Sequence, residues 1–458
     1  MTKRKDQPLH LTRVTIKNVR CFENLSLDLR SGNGARKWAV IFGDNGVGKT
    51  TLLRCIALGM CDEASAAGLL AEIYGDWNRD IGEGPKPAEI KLEFLIPEGE
   101  ASITTRIKPQ KSGYDKISQT ARFNGSGKEF PWHRIFACGY GSARRSFGTK
   151  DVSEYATVDA VYTLFNYDAP LQNPELVIRR VASNPDSKLL QGPSKRNGNS
   201  ASKGGLKTLL DSIAQVLLLP NGSIRLEPTG LTVSGPWGNF QPIGGLGDGY
   251  QAVLAFLTDF LGWAMLANPD RPLTEVRGIV LVDELEQHLH PRWQREIIKL
   301  LHDQFPHVQF IVTTHTPMCA IGTTDLEDSE CELVKLQRQD SISIAVENLV
   351  PPRGQRADQV LTSLLFDLPT SGDNASLRDI GRFNALAIKP SGKRTSAEAN
   401  EFEKLRKSLN ARFTDGESEL ETFVKQEVRK ALKARSDKSL SSVAVDLEVL
   451  RQLEELAK

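Results

Sequence analysis

Between Leu11 and Leu29 apolar and polar residues alternate, with Val14, Ile16 and Val19 followed by Leu25, Leu27 and Leu29. A period of two belongs to a strand with one buried face, so this stretch predicts an N-terminal β-hairpin. Trp38–Phe42 is a short continuous apolar run, a glycine-rich turn follows it, and from Thr50 the positions Leu53, Ile56 and Ala57 fall at helical spacing. Glu89 to Ile107 alternates again, and Arg134 to Cys138 fits one more buried strand. Residues 182–205 are rich in Ser, Asn, Gly and Lys with little to bury, which predicts a flexible surface loop. Leu206 to Leu219 is amphipathic, Ile224 to Val233 reads as a strand, and Gly245 to Leu266 opens on glycines and becomes a strongly apolar helix.

Further on, Gly278 to Val282 is an apolar strand closed by two acids, Trp293 to Leu301 an amphipathic helix, and Phe310 to Thr313 another buried strand. Strands alternating with helices imply a largely parallel sheet covered on both faces, an α/β fold. After Cys331 two alternating runs predict a hairpin, and beyond Pro351 the pattern is helical. One helical face carries Leu405, Leu409 and Phe413, a second Leu420, Phe423, Val424, Val428 and Leu432, and a third Leu447, Leu450 and Leu453. The expected organisation is a domain over residues 1–350 with an inserted lobe at about 100–240, then a helical region over 351–458 that is a candidate docking or oligomerisation surface.

Composition changes this picture little. At 458 residues, 40% of them hydrophobic, the chain can build a substantial core. Lys and Arg total 58 against 57 for Asp and Glu, so any contact with DNA must come from a local patch. No apolar run approaches a membrane span or a signal segment, which predicts a cytoplasmic protein without membrane contact. Cys21, Cys55, Cys61, Cys138, Cys319 and Cys331 are scattered, with no CxxC pair, and read as reduced thiols. Lys425, Arg429, Lys430, Lys433 and Arg435 form a basic strip, either a solvated face or a nucleic-acid track.

The chemistry concentrates at three points. Gly43-Asp44-Asn45-Gly46-Val47-Gly48-Lys49-Thr50 is a full GxxxxGK(S/T) pattern between an apolar strand and a helix. Its glycines let backbone N–H groups turn around phosphate oxygens, so these residues and Thr51 are candidate ATP contacts. Lys49 is expected to bridge the β- and γ-phosphates, and Thr50 to give its hydroxyl to Mg²⁺. In Gly278 to Glu284, four apolar residues bury a strand, Asp283 at its end is a candidate magnesium holder, and Glu284 is placed to polarise the attacking water. Phe310 to His315 is a further strand with a polar tip, where a neutral imidazole is expected to donate to the γ-phosphate.

In this order the three elements resemble the ABC, SMC and RecF-like ATPases rather than hexameric machines. The resemblance covers residues 11–60 and 240–320 and extends to Thr15–Phe22 and to the run from Asp283 to Pro291, where Leu285 stands in the family's usual proline position. It implies an ABC-type P-loop NTPase with a largely parallel core sheet, an N-terminal antiparallel β lobe, an inserted lobe and a C-terminal helical region. Leu246 to Gln251 lies where the family's signature motif is expected, making Gly247, Asp248 and Gly249 candidates to cap a nucleotide held by another subunit; a plain glycine-rich helix start is the alternative. Gly247 replaces the usual serine, which implies slow hydrolysis. A lone Walker A pattern implies a head-to-tail homodimer or an assembly of such dimers. His288 and His290 are explained by the family loop better than as a metal pair. Gly139 to Arg145 is similar to a GYGxxR segment of stand-alone members, near the nucleotide or the dimer face, or else an exposed basic loop.

No long heptad run separates Walker A from Walker B, which argues against an SMC-type arm. The region after His315 also lacks the acidic pattern of a TOPRIM nuclease, so the likeness is to OLD-type ATPases without that domain. Arg356 to Leu368 resembles the helix following the ATPase core in bacterial defence ATPases of the Septu and retron type, in which a separate chain supplies an HNH nuclease. That resemblance implies an ATPase (ATP and Mg²⁺ as cofactors) whose nucleotide state controls a partner nuclease in antiphage defence. The alternatives are a RecF-like repair ATPase acting on DNA directly and, less favoured, a transporter cassette.

Overall fold

Trp38–Phe42 and Gly278–Val282 are consecutive apolar residues buried at every position, whereas Ala88–Ile96 alternates buried and half-buried residues. The computed structural model describes residues 9–413, leaving aside internal segments of which 111–114, 125–129, 184–200, 369–377 and 387–393 are the longest. By contacts the chain divides at Pro369 into two units.

The first unit opens with β1 (His10–Val19) and β2 (Phe22–Asp28), the short ribbon β3 (Arg30–Ser31) and β4 (Gly34–Ala35), and β5 (Trp38–Phe42). Helices α1 (Lys49–Met60) and α2 (Glu63–Ala71) follow, then β6 (Ala88–Ile96), β7 (Gly99–Lys108), β8 (Lys116–Phe123) and β9 (Ala137–Tyr140). Next come α3 (Thr157–Val161), α4 (Pro174–Ser183), α5 (Ala201–Val216), the short strands β10 (Ile224–Glu227), β11 (Gly230–Val233) and β12 (Gln241–Pro242), and α6 (Asp248–Ala267). The unit closes with β13 (Gly278–Val282), α7 (Pro291–Gln304), β14 (Val308–Thr313), α8 (Pro317–Gly322), β15 (Cys331–Gln339), β16 (Ile342–Val346) and α9 (Ala357–Leu361).

A six-stranded sheet in the order β16-β15-β5-β14-β13-β9 forms the core, and every neighbouring pair in it is parallel except β15 with β16. Alternate residues of one strand feed two apolar clusters: Trp38, Val40 and Phe42 with α6 and α7 on one side, Ala39 and Ile41 with α1 on the other. Both faces are therefore covered, which is why β5 and β13 are buried at every position. The strands' carboxyl ends converge on one edge, where ligands of open α/β sheets bind.

A second sheet, in the order β2-β1-β6-β7-β8, is antiparallel throughout. β6 alternates buried and half-buried residues along its length, so one face packs inward. The buried amide of Gln309 on β14 joins the two sheets: Leu11 N donates to its Oε1 at 2.8 Å, and its Nε2 donates to the carbonyls of Leu11 at 2.9 Å and Arg36 at 2.8 Å. Helix α6 is long and apolar enough to cross a membrane, but 78% of its most apolar window is buried. It is a core helix.

The N-terminal hairpin, the β15–β16 hairpin and the strand-helix alternation appear as the sequence predicts. The inserted lobe at about 100–240 needs correction. β7 and β8 extend the antiparallel sheet, and β9 is the edge strand of the core sheet beside β13, so much of that span is built into the two sheets. The loop expected over 182–205 is also too long, because α5 begins at Ala201; residues 184–200 lie outside the described residues. Helix α9, placed by the sequence in the C-terminal region, belongs to the first unit.

The second unit contains α10 (Ser396–Phe413). Its start is closed reciprocally: Glu398 N donates to Thr395 Oγ1 at 3.2 Å and Thr395 N to Glu398 Oε2 at 3.1 Å. Phe383 stacks on Phe402 with centroids 4.8 Å apart, and Arg382 pairs with Glu401 at 2.8 Å. The apolar faces expected over 420–453 and the basic strip from Lys425 to Arg435 lie outside the described residues.

Candidate nucleotide site

The glycine turn after β5 depends on backbone that only glycine adopts without strain: Gly43, Gly46 and Gly48 have φ of 145°, 81° and 103°. At Gly43 a Cβ would also lie 2.4 Å from the carbonyl oxygen of Leu336. Asp44, Asn45 and Gly46 are exposed at the tip, while Val47, Lys49 and Thr51 are buried at its base. Lys49 Nζ donates to the carbonyls of Gly43 at 2.6 Å and Asp44 at 3.0 Å. Burial lowers the lysine's pKa, and nearby Asp283 and Glu284 oppose that shift.

β14 lies between β5 and β13, and the residues at the ends of these strands meet. Thr50 Oγ1 donates to Asp283 Oδ2 at 2.6 Å. Thr313 Oγ1 donates to Asp283 Oδ1 at 2.6 Å and accepts from Glu284 N at 2.8 Å. Both carboxylate oxygens of Asp283 are thus oriented by hydroxyls from other elements. Glu284 has φ of 48°, rare for a side-chain-bearing residue, and turns the chain sharply after Asp283.

Arg144 holds that turn. Its Nη1 donates to the carbonyls of Gly141 at 3.0 Å and Asp283 at 2.6 Å, and its Nη2 donates to the carbonyl of Glu284 at 2.8 Å. The side chain is buried, and burial pulls its pKa down to about 10 despite nearby Asp283, Glu286 and Glu284. Of the two readings of the GYGxxR segment, the exposed basic loop is excluded for Arg144; Arg145 lies outside the described residues.

His315 follows β14 and is about half exposed, at 55%. Its Nδ1 lies 2.8 Å from Glu286 Oε1, which also accepts the His315 backbone N–H at 2.7 Å. Glu286 thus engages Nδ1, which leaves Nε2 as the ring nitrogen for a phosphate contact. Glu286 is buried, and its Oε2 has no hydrogen-bond partner.

Gly247 is the N-cap of α6, with Gly247 and Asp248 exposed. A Cβ at Gly249 would lie 2.7 Å from the carbonyl oxygen of His288, so this glycine seats the helix start against the loop after β13. The structure places these three residues at the head of a long core helix rather than in the cluster around Thr50 and Asp283. His290 accepts from Arg292 N at 3.4 Å as the N-cap of α7, a local role that accounts for it without a metal.

Glu286, Thr313 and Arg144 were absent from the residues assigned a role on the basis of sequence. Glu286 stood inside the Asp283 to Pro291 run and Arg144 inside the GYGxxR segment, so both carried a signal. Thr313 carried none beyond its place at a strand tip.

The family model described as AAA domain, putative AbiEii toxin, Type IV TA system matches residues 39–318. The chain belongs to this AAA family. The matched span runs from β5 to α8 and contains the whole cluster just described. Among related proteins, the family member is similar to the Septu protein PtuA of Bacillus mycoides (strain KBAB4), 27% identical over 384 residues, which cover 83% of this chain and 48% of PtuA. It is also similar to the Retron Ec83 probable ATPase of Escherichia coli, 25% identical over 378 residues, covering 68% of this chain and 69% of that protein. The chain spans about half the length of that PtuA relative. The SMC head domain from Thermotoga maritima superimposes with a TM-score of 0.42 at 15% identity, covering 74% of this chain and 100% of that domain.

Proposed function

We propose that this chain binds and hydrolyses ATP with magnesium as a head-to-tail homodimer, and that its nucleotide state controls a separate HNH-type nuclease in bacterial antiphage defence. The observation that carries the ATPase reading is the 2.6 Å bond from Thr50 to Asp283, which brings a hydroxyl from the first turn of α1 and a carboxylate from the end of β13 to one point beside Lys49. Hydroxyl and carboxylate oxygens are the hard donors magnesium takes. The buried Glu286 oxygen without a partner marks further unused acceptor capacity near the same edge.

When bound, magnesium neutralises charge on the triphosphate. Thr50 and Asp283 would hold the metal, and Lys49 would exchange its bonds to Gly43 and Asp44 for phosphate oxygens. Glu284 would accept a proton from the attacking water, and Arg144 and Thr313 fix the backbone on which Glu284 stands. Glu286 orients His315 toward the end of the phosphate chain. Gly247, Asp248 and Gly249 face the nucleotide of a second copy.

The likeness to PtuA and to the retron ATPase supports the defence role, and the C-terminal region is the candidate docking surface. Replacing Glu284 by Gln tests the catalytic half: turnover is expected to fall on the order of 10²- to 10⁴-fold, with an ATP-bound dimer accumulating on size exclusion. Unchanged turnover sinks the reading. For the nuclease half, an HNH protein encoded beside this gene should co-purify with the chain and cut DNA in a nucleotide-dependent way; a neighbouring permease gene reverses it.

A further inference from the structure

A cavity of about 450 Å³ lies on the α3 and α6 side of β9, away from the nucleotide cluster. Its size is that of small-molecule sites, which run from roughly 300 to 1,000 Å³. Its lining includes the buried residues Asp259 and Gln172 and the exposed residues Asp159 and Asp168, together with the rings of Trp263 and Tyr162. Among the described residues no Lys or Arg lines it. There a phosphate or carboxylate ligand meets three carboxylates, whereas a cation meets complementary charge and aromatic surface.

The interior is built rather than incidental. Asp259 accepts from Gln172 N at 2.8 Å, from Tyr140 Oη at 2.9 Å and from the side chains of Gln172 and Trp263, donors that hold the carboxylate in one orientation. Gln172 donates through Nε2 to the carbonyl of Asp259 at 3.4 Å, and its Oε1 is buried with no partner among the described residues. Neither Asp159 nor Asp168 has an ion-pair partner among the described residues. Burial raises the Asp259 carboxyl to about 6, so near neutral pH the carboxylate remains the main form.

We infer that this cavity binds a small organic cation, a protonated amine or guanidinium on a short apolar stem, whose charged head meets Asp259 and the Gln172 carbonyl while Asp159 and Asp168 guide it in. Tyr140 links the site to the nucleotide machinery. Tyr140 donates its hydroxyl to Asp259, and its backbone carbonyl accepts from Asp283 N at 2.8 Å.

The test uses the full chain, calorimetric titration and two probes, agmatine and spermidine, with adenosine and acetate as neutral and anionic controls. At least one of the cationic probes is expected to bind, and adenosine and acetate are not. The exposed pair Asp159→Asn with Asp168→Asn should weaken binding at least tenfold at low salt while leaving Tm and basal ATP turnover unchanged. Asp259→Asn should abolish binding with the fold retained by circular dichroism; should that variant unfold, the rim pair alone decides. Failure of both cationic probes to bind at millimolar concentration overturns the inference. So does binding of acetate or adenosine in their place, or binding that survives the rim substitutions. The titration reads the cavity directly, so its outcome is independent of whether the chain hydrolyses ATP.

Discussion

Thr313 Oγ1 donates to Asp283 Oδ1 at 2.6 Å while accepting the amide proton of Glu284, so one hydroxyl on β14 orients both acids at the end of β13. Thr313→Val keeps the shape and removes the hydroxyl. Two buried groups then lose a partner, which should cost about 1–3 kcal/mol of stability. Urea unfolding measures that loss. ATP turnover should fall while Mg²⁺-dependent ATP binding weakens less; turnover at the parent rate would show that the acids need no such support.

Arg144 bonds three carbonyls through a planar fork that lysine cannot reproduce. Arg144→Lys preserves the charge and loses the geometry, so kcat should fall on the order of 10- to 100-fold as Glu284 is displaced. KM for ATP should change far less. A purely structural role predicts instead a lowered Tm with kcat intact among the folded molecules, and the two measurements together separate these outcomes.

Gly43→Ala meets two obstacles, a φ of 145° and the Leu336 carbonyl oxygen 2.4 Å from the new Cβ. Strain of about 1–3 kcal/mol is expected, and the loop can relieve it only by moving. ATP affinity, read by a fluorescent analogue, should drop more than tenfold.

His10 on β1 is held mainly by burial, and next by Lys37, at a pKa of about 4, below its ordinary 6.5. Its Nε2 is buried without a partner among the described residues, in keeping with a neutral ring. Between pH 6.5 and about 4 the unfolded chain takes up a proton that the folded one does not, so stability falls as the solution is acidified, by up to roughly 3 kcal/mol from this residue. Above pH 6.5 the contribution is flat. His10→Gln should flatten the acid limb of a Tm against pH curve; an unaltered limb assigns the acid sensitivity to other groups.

The glycine loop and the acids of β13 were legible because their chemistry is local: positive φ demands glycine at fixed spacing, and a strand buried on both faces demands a continuous apolar run before Asp283. Arg144 meets Asp283 across 139 positions of sequence, and no periodicity encodes which strand lies beside which. The same gap explains the misread span at 100–240. The apolar run at Arg134 to Cys138 reads as a strand, but the place of β9 beside β13 is a tertiary fact. For His315 the position was legible, but its pairing was not, since that depends on Glu286 arriving from another loop.

The side chain of Gln309 occupies the place a strand neighbour would take, satisfying both backbone groups of Leu11 from within β14. Displacing β14 along its axis therefore either breaks the two buried hydrogen bonds to Leu11 or drags β1 along, so the core sheet and the antiparallel sheet resist shear at this point.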